Sequence, residues 1–276
     1  MIINRSKLKF HETFQPEVNY IAKVLSLASN NFTGSKFDVS EVTGIPTGMQ
    51  KGKVEPSIKY ANYMGLINYS YNKGEYSLEL TSIGKEVFQQ DKYLHESLTI
   101  WLCHYFITHT KYGAPQWSYL VHSGHLGFIN EESSDFFHAQ ALKTLSVDIS
   151  FEELFGVVRR SYMDGFFNSL DFIDWTTCIK FKEITENQEL TYLYAYAILN
   201  SWDSVLPDNI EITILDLQNT IGFGKIFGLN DEEIEFVLES LSEEGIISVN
   251  RQLYPPTIIR TYQTSALIPL LYSKLL

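Results

Sequence analysis

A chain of 276 residues, 45% apolar and 14% aromatic, can bury a sizeable core, and this composition excludes a disordered or low-complexity protein. Two cysteines, Cys103 and Cys178, exclude a disulfide framework, and no apolar run approaches the about 18 residues of a membrane-spanning helix. The net charge of −12 argues against a general nucleic-acid binder, yet it is unevenly spread: 10 Lys/Arg face 8 Asp/Glu over residues 1–90, 6 face 11 over 91–180, and 5 face 14 over 181–276. Only the first third can approach a phosphate backbone without strong repulsion. The opening MIINRSKLKF lacks the apolar centre of a signal peptide, so the expectation is a cytoplasmic protein with reduced thiols and no membrane contact.

In chain order, Val18, Ile21, Ala22 and Leu25 fall at helical spacing. A short helix follows from Val39 to Thr43, then a Gly/Pro turn, then a helix carrying Ile58, Ala61 and Met64 that stops at Gly65. Leu66 and Ile67 begin a strand in which Tyr69 and Tyr71 alternate with polar residues. Asn72-Lys73-Gly74 turns the chain, and Tyr76, Leu78 and Leu80 alternate back to a helix capped by Thr81 or Ser82. This order predicts a winged helix-turn-helix over residues 1–90.

The middle segment, 91–184, reads as helical. Leu98, Trp101, Leu102, Tyr105 and Phe106 make a helix apolar almost all round, hence buried. Gly113 to Pro115 breaks it, a further helix is expected over Phe151 to Phe167, and shorter stretches run to Phe181.

Residues 185–276 repeat the first plan at an offset of 180. Ile58, Ala61, Gly65, Leu66 and Ile67 correspond to Leu238, Leu241, Gly245, Ile246 and Ile247. A helical run from Leu190 to Trp202 and a short helix around Leu215 to Thr220 precede them, and Asn230 with Glu233 resembles a capping box. The expected fold is therefore mainly α with small β-wings: an N-terminal winged helix-turn-helix, a helical middle and a C-terminal winged-helix-like unit. The alternative is a helical bundle with two coincidental helix–strand joints. The tail carries Leu267, Ile268, Leu270, Leu271, Leu275 and Leu276, and should dock on the body or on a second copy.

The motifs exclude more chemistry than they indicate. His104, His109, His122 and His125 match no zinc spacing, so no metal site is expected. His109-Thr110-Lys111 opens like a phospholipase-D-type nuclease signature but meets Gln116 where Asp is required. No Asp-x-Lys or Glu-x-Lys occurs, which removes the commonest metal-dependent DNA-cutting core. Gly44, Gly48, Gly52 and Lys53 lack the spacing and the Ser/Thr of a nucleotide-binding loop. Pro56 instead marks an early position of the second long helix, with Lys51 and Lys53 beside its free N–H groups, where a nucleic-acid phosphate would sit. Lys51, Lys53 and Lys59 are the expected DNA contacts. The equivalent C-terminal helix carries Asp231, Glu232, Glu233, Glu235 and Glu239, so that unit should serve packing or protein contact.

With these residues the chain resembles a bacterial family catalogued as domain of unknown function four thousand and seven. The resemblance covers almost the whole length. It rests on Phe10-His11-Glu12-Thr13-Phe14, on GIPTG and GKV at Gly44 to Gly48 and Gly52 to Val54, and on YANYMGLI at Tyr60 to Ile67. It continues through LTSIGKEVF at Leu80 to Phe88, Trp101-Leu102-x-His104, Ala114-Pro115-x-Trp117 and Gly224 to Leu229. Members look like the SspB-type component of DNA phosphorothioation systems, encoded beside an ATPase and a sulfur-activating reductase-like enzyme. The resemblance implies a DNA-binding accessory subunit of a modification and defence system, with DNA and those two proteins as partners and a homodimer as a further state.

An alternative it also implies is a nicking endonuclease using Mg²⁺ or Mn²⁺, with His11 and Glu12 as an acid/base pair, joined by His104. In the structural alternative Glu12-Thr13 caps the first helix while Phe10 and Phe14 pack beneath. A third alternative is a non-catalytic protein-binding scaffold. One departure stands out: where the family has Arg three residues after its HETF segment, this chain has Glu17.

Overall fold

The computed structural model describes residues 5–124, 126, 131–252 and 254–275; His125 and Leu276, named above, lie outside them. A short helix α1 (Arg5–Leu8) leads through the His11–Phe14 turn into α2 (Val18–Ala28), whose Ile21, Val24, Leu25 and Ala28 face the core. Strand β1 (Thr33–Ser35) ends in a capping box in which Ser35 and Asp38 satisfy each other's backbone N–H, and this starts α3 (Lys36–Thr43). Helix α4 (Val54–Tyr63) follows, then β2 (Ile67–Asn72) and β3 (Glu75–Leu80). Lys73 and Gly74 both take positive φ, 51° and 91°, as a two-residue hairpin loop requires. The sheet order is β1-β3-β2, antiparallel throughout. Thr81 then caps α5 (Ser82–Gln90) by accepting from Gly84 N at 2.8 Å.

Helix α6 (Ser97–Thr108) is buried from Leu98 to Thr108, as its all-round apolar face predicts, and α7 (Pro115–His122) packs beside it. The middle segment departs from the helical expectation. After α7 come β4 (Glu132–Ser133), α8 (Ser134–Leu145), α9 (Phe151–Met163), β5 (Ile173–Trp175) and β6 (Cys178–Phe181), in a three-stranded sheet of order β4-β6-β5. The strands are too short to show an alternating pattern, and that is why the sequence conceals them.

The C-terminal segment runs α10 (Thr191–Val205), β7 (Glu211–Thr213), a wide turn over Asp216–Ile221, α11 (Phe223–Phe227), α12 (Asp231–Glu243), β8 (Ile247–Asn250) and β9 (Thr257–Arg260). Its sheet order is β7-β9-β8, so one succession of helix, strand, two helices and two strands occurs three times. The offset of 180 holds down to single bonds. Gly65 and Gly245, at φ 73° and 68°, end α4 and α12, and Leu66 N and Ile246 N each bond back at 3.0 Å to Ala61 O and Leu241 O. The Thr81 and Thr261 hydroxyls donate to the carbonyls of those same glycines. Asn230 caps α12 through Glu233 N at 3.0 Å, but the Glu233 carboxylate accepts from Glu186 N at 2.7 Å, so only half of the expected box forms.

One connected apolar core runs through all three segments. The tail docks on the chain's own body: Leu267 and Leu271 are fully buried, and the Tyr272 and Thr99 hydroxyls bond at 2.7 Å. No helix among the described residues is long and apolar enough to cross a membrane.

Candidate nucleic-acid interface

The His11–Phe14 turn is held from three sides. The Leu8 carbonyl accepts from Gln116 on α7, the Phe14 carbonyl from the Tyr60 hydroxyl on α4 at 2.9 Å, and the Thr13 carbonyl from Arg160 on α9 at 3.3 Å. Beneath it, the Phe10 ring sits 4.9 Å from Tyr60, 4.7 Å from Tyr63 and 6.1 Å from Trp117. Glu12 and Thr13 are forced into left-handed backbone, φ 48° and 77°. Neither residue favours that region, least of all β-branched Thr, and each costs on the order of 1–2 kcal/mol. The surrounding clamps over-determine the turn.

The turn forms one wall of a cleft of about 640 Å³, lined among others by Lys9, His11, Glu12, Lys51, Glu152 and Arg160. Burial first, and then the Arg160 guanidinium, push the His11 imidazole down to about 4, so it is neutral near pH 7. Its Nδ1 accepts from Thr13 N at 3.1 Å, which places the remaining proton on Nε2. That Nε2 is buried with no well-formed hydrogen bond, although the Leu8 carbonyl lies close enough to favour the protonated ring, and Glu12 Oε2 is buried without a partner. Arg160 pairs with Glu152 at 2.5 Å and Lys9 pairs with Glu153. Of the three cationic groups on the cleft, Arg160 and Lys9 face carboxylates while the exposed Lys51 makes no ion pair among the described residues, so Lys51 is the group a phosphate oxygen would meet first.

The expected site residues divide. His11, Glu12 and the exposed Lys51 come together in this cleft. Lys53 does not enter it; its Nζ bonds Glu17 Oε1 at 2.7 Å, which raises the lysine pKa, and lies over the Phe14 and Tyr20 rings. Lys59 is half-buried on α4, whose Val54, Pro56, Ser57, Ile58, Tyr60 and Ala61 are all buried. With those residues enclosed, α4 offers a partner only Glu55, Lys59, Asn62 and Tyr63, each partly exposed. Glu12 is not a helix cap: Glu17 occupies the N-cap of α2 and makes no side-chain cap bond.

His104 is deep in the core, with Nε2 2.9 Å from the Ile226 carbonyl and Nδ1 3.0 Å from the Tyr162 hydroxyl, so it takes no part in the cleft. His109 stacks on Tyr112 at 3.7 Å between ring centres. Gln116, where the nuclease signature failed, is a fully buried clamp on Leu8. Lys9 and Arg160 were not found from the sequence; the adjacent Arg159-Arg160 pair was the only available signal. Among the described residues no three His, Cys, Asp or Glu side chains group as metal ligands. The cleft's Glu152 and Glu153 already face cations, so its donor set does not fit a resident metal.

No curated protein matches the sequence. Among solved structures, the chain is similar to a magnesium ion-bound SspB crystal structure, with a TM-score of 0.77, 16% identity, and coverage of 96% of this chain and 88% of that one. A second SspB crystal structure gives a TM-score of 0.75, 17% identity and the same two coverages of 96% and 88%. At such identities the likeness is one of fold. The family described as protein of unknown function (DUF4007) matches residues 9–253, and the chain belongs to that family.

Proposed function

We propose that the chain is a DNA-binding accessory subunit of a bacterial DNA phosphorothioation-linked modification and defence system. Family membership and the fold shared with SspB support this reading. The observation that carries it is the convergence of Lys9, Lys51 and Arg160, from three separate segments, on the neutral His11 N–H in a chain of net charge −12. DNA is held by its backbone: His11 Nε2–H donates to a phosphate oxygen while Lys51 and Arg160 supply charge. In this reading the first and last units are winged helices used as scaffolds. The acidic α12 faces a protein, the neighbouring ATPase or reductase-like enzyme, and not DNA. Fluorescence anisotropy on duplex DNA at low salt tests the proposal. Binding should weaken as salt rises, and Lys51→Glu and Arg160→Glu should each weaken it further. No binding by the parent at low salt would remove the reading.

A nicking activity is the second reading, favoured by the adjacent buried His11 imidazole and the unpartnered Glu12 Oε2, with Glu12 in strained backbone. Relaxation of supercoiled plasmid, with and without Mg²⁺ or Mn²⁺, separates it from binding alone.

A further inference from the structure

Two lysines share one aromatic ring: Lys53 Nζ lies 5.2 Å and Lys23 Nζ 5.9 Å from the centre of Tyr20. Lys53 closes the loop that carries Lys51 into the His11 cleft, its N–H bonding the Pro46 carbonyl at 2.8 Å. Lys23, on α2, lines a second groove of about 950 Å³ between α2, the end of α3 and α5. Lys85 and Lys92 line the same groove, and no Asp or Glu does.

Among the described residues, Lys23, Lys85 and Lys92 make no ion pair, whereas Lys9, Lys36, Lys53 and Arg160 each do. The two acids between Lys85 and Lys92 in sequence keep their charge but direct their oxygens to neutral donors and form no ion pair with these lysines. Both Asp91 oxygens accept at 2.9 Å from backbone N–H groups of His95 and Glu96, and Glu86 accepts from Gln90 at 3.1 Å. Neutral donors, Asn19, Asn30, Asn31 and Gln89, complete the walls. In an acidic chain, three lysines without an ion pair, gathered on a groove that no carboxylate lines, are the electrostatic footprint of a polyanion. The continuity through Tyr20 selects a linear polymer over a single ion.

We infer that this groove is a second phosphate-contacting surface, which follows the backbone of the same DNA away from the His11 cleft. The inference rests on the DNA-binding reading and extends it. Each phosphate contact contributes about 0.9 to the slope of log K against log salt, so losing three lowers the slope by about 3. The triple variant Lys23→Gln, Lys85→Gln, Lys92→Gln, measured by anisotropy on a long duplex, should show that flatter slope and weaker binding at an unchanged melting temperature. A parent that binds DNA and a triple variant with the parent's slope would overturn the groove and leave the cleft standing. A parent that binds no DNA would overturn both. Poly-glutamate is the control ligand: if the variant loses poly-glutamate binding while keeping the DNA slope, the groove takes an acidic protein and the inference fails.

Discussion

Lys53 Nζ bonds Glu17 Oε1 at 2.7 Å, so the lysine that the sequence places closest to a helix N-terminus is already neutralised. The pair is partly exposed, with side chains 30% and 38% accessible, and such a pair is worth at most about 1 kcal/mol to the fold. Glu17→Gln should therefore leave stability nearly unchanged while freeing Lys53 between the cleft and the Lys23 groove. DNA affinity should rise and the salt slope should steepen by about 1. Unchanged binding in a folded Glu17→Gln protein would show that Lys53 lies off the DNA path.

Thr13 carries a strained backbone and an exposed side chain, so its conformation can be tested apart from its contacts. Glycine adopts positive φ freely but adds freedom to the unfolded chain, and the balance favours Thr13→Gly by about 0.5–1 kcal/mol. The melting temperature should rise. If the strained turn exists to present His11 and Glu12, DNA binding should fall in the same protein. A variant that melts lower would show that the turn is not strained.

Four histidines are held neutral, with burial the first cause in each. His11 and His122 are pushed down to about 4, and His104 and His109 to about 3, from 6.5. Because these folded values lie below the unfolded one, the unfolded chain binds protons first as pH falls. Stability is whole above about pH 6.5 and declines towards pH 4, by up to about 1.4 kcal/mol per pH unit for each histidine. Paired carboxylates lose their contribution only below that window. Thermal melts at pH 7.5, 6.5 and 5.5 should fall progressively across the last interval, and a flat profile would contradict the assignment.

The repeated plan was legible because it rests on side-chain spacing and glycine. Gly65 and Gly245 each end a helix where left-handed backbone is required, and the threonines 16 residues on bond back to them. The middle unit escaped notice because its strands span two to four residues and Asp171, at φ 46°, stands where the other units have glycine. His11, Glu12 and Lys51 were legible as chemistry near the N-terminus. Arg160, which bonds Thr13 across 147 residues of sequence, was not, since only the packing of α9 on the turn brings it there. Burial of α4 was likewise invisible: Lys59, with Lys51 and Lys53 just before the helix, suggests an exposed face, while Tyr60, Ile58 and Ala61 lie inside.

The tail tests how much the C-terminal unit depends on its last turns. Leu267 and Leu271 are fully buried, and Lys274 bonds Glu244 at 2.6 Å. Leu267→Ala should cost about 2–5 kcal/mol, as buried Leu truncations do. Deleting residues 265–276 should give insoluble protein by baring the apolar surface beneath. A soluble truncation with the parent's melting temperature would show that the docked tail contributes nothing.

His11 and Glu12 distinguish binding from cutting. His11 Nε2–H is a buried donor whose nearest acceptor is the Leu8 carbonyl, with no well-formed bond, and Glu12 Oε2 is a buried acceptor without a partner. If the cleft only grips phosphate, His11→Ala should weaken DNA binding by about 1.5–3 kcal/mol, the worth of a hydrogen bond to a charged group. Glu12→Gln should bind as well as the parent or better, because it removes a negative charge from the path of the phosphate. If the pair moves a proton, both variants should bind DNA yet lose nicking by roughly 10²-fold or more. Glu12→Gln keeps the shape of the side chain and relieves a buried carboxylate oxygen, so its melting temperature should hold or rise under either scheme. The expected pattern is tighter DNA binding by Glu12→Gln and weaker binding by His11→Ala, with plasmid relaxation no different from the parent's. A folded Glu12→Gln protein that binds DNA but has lost a nicking activity present in the parent would establish catalysis in the cleft.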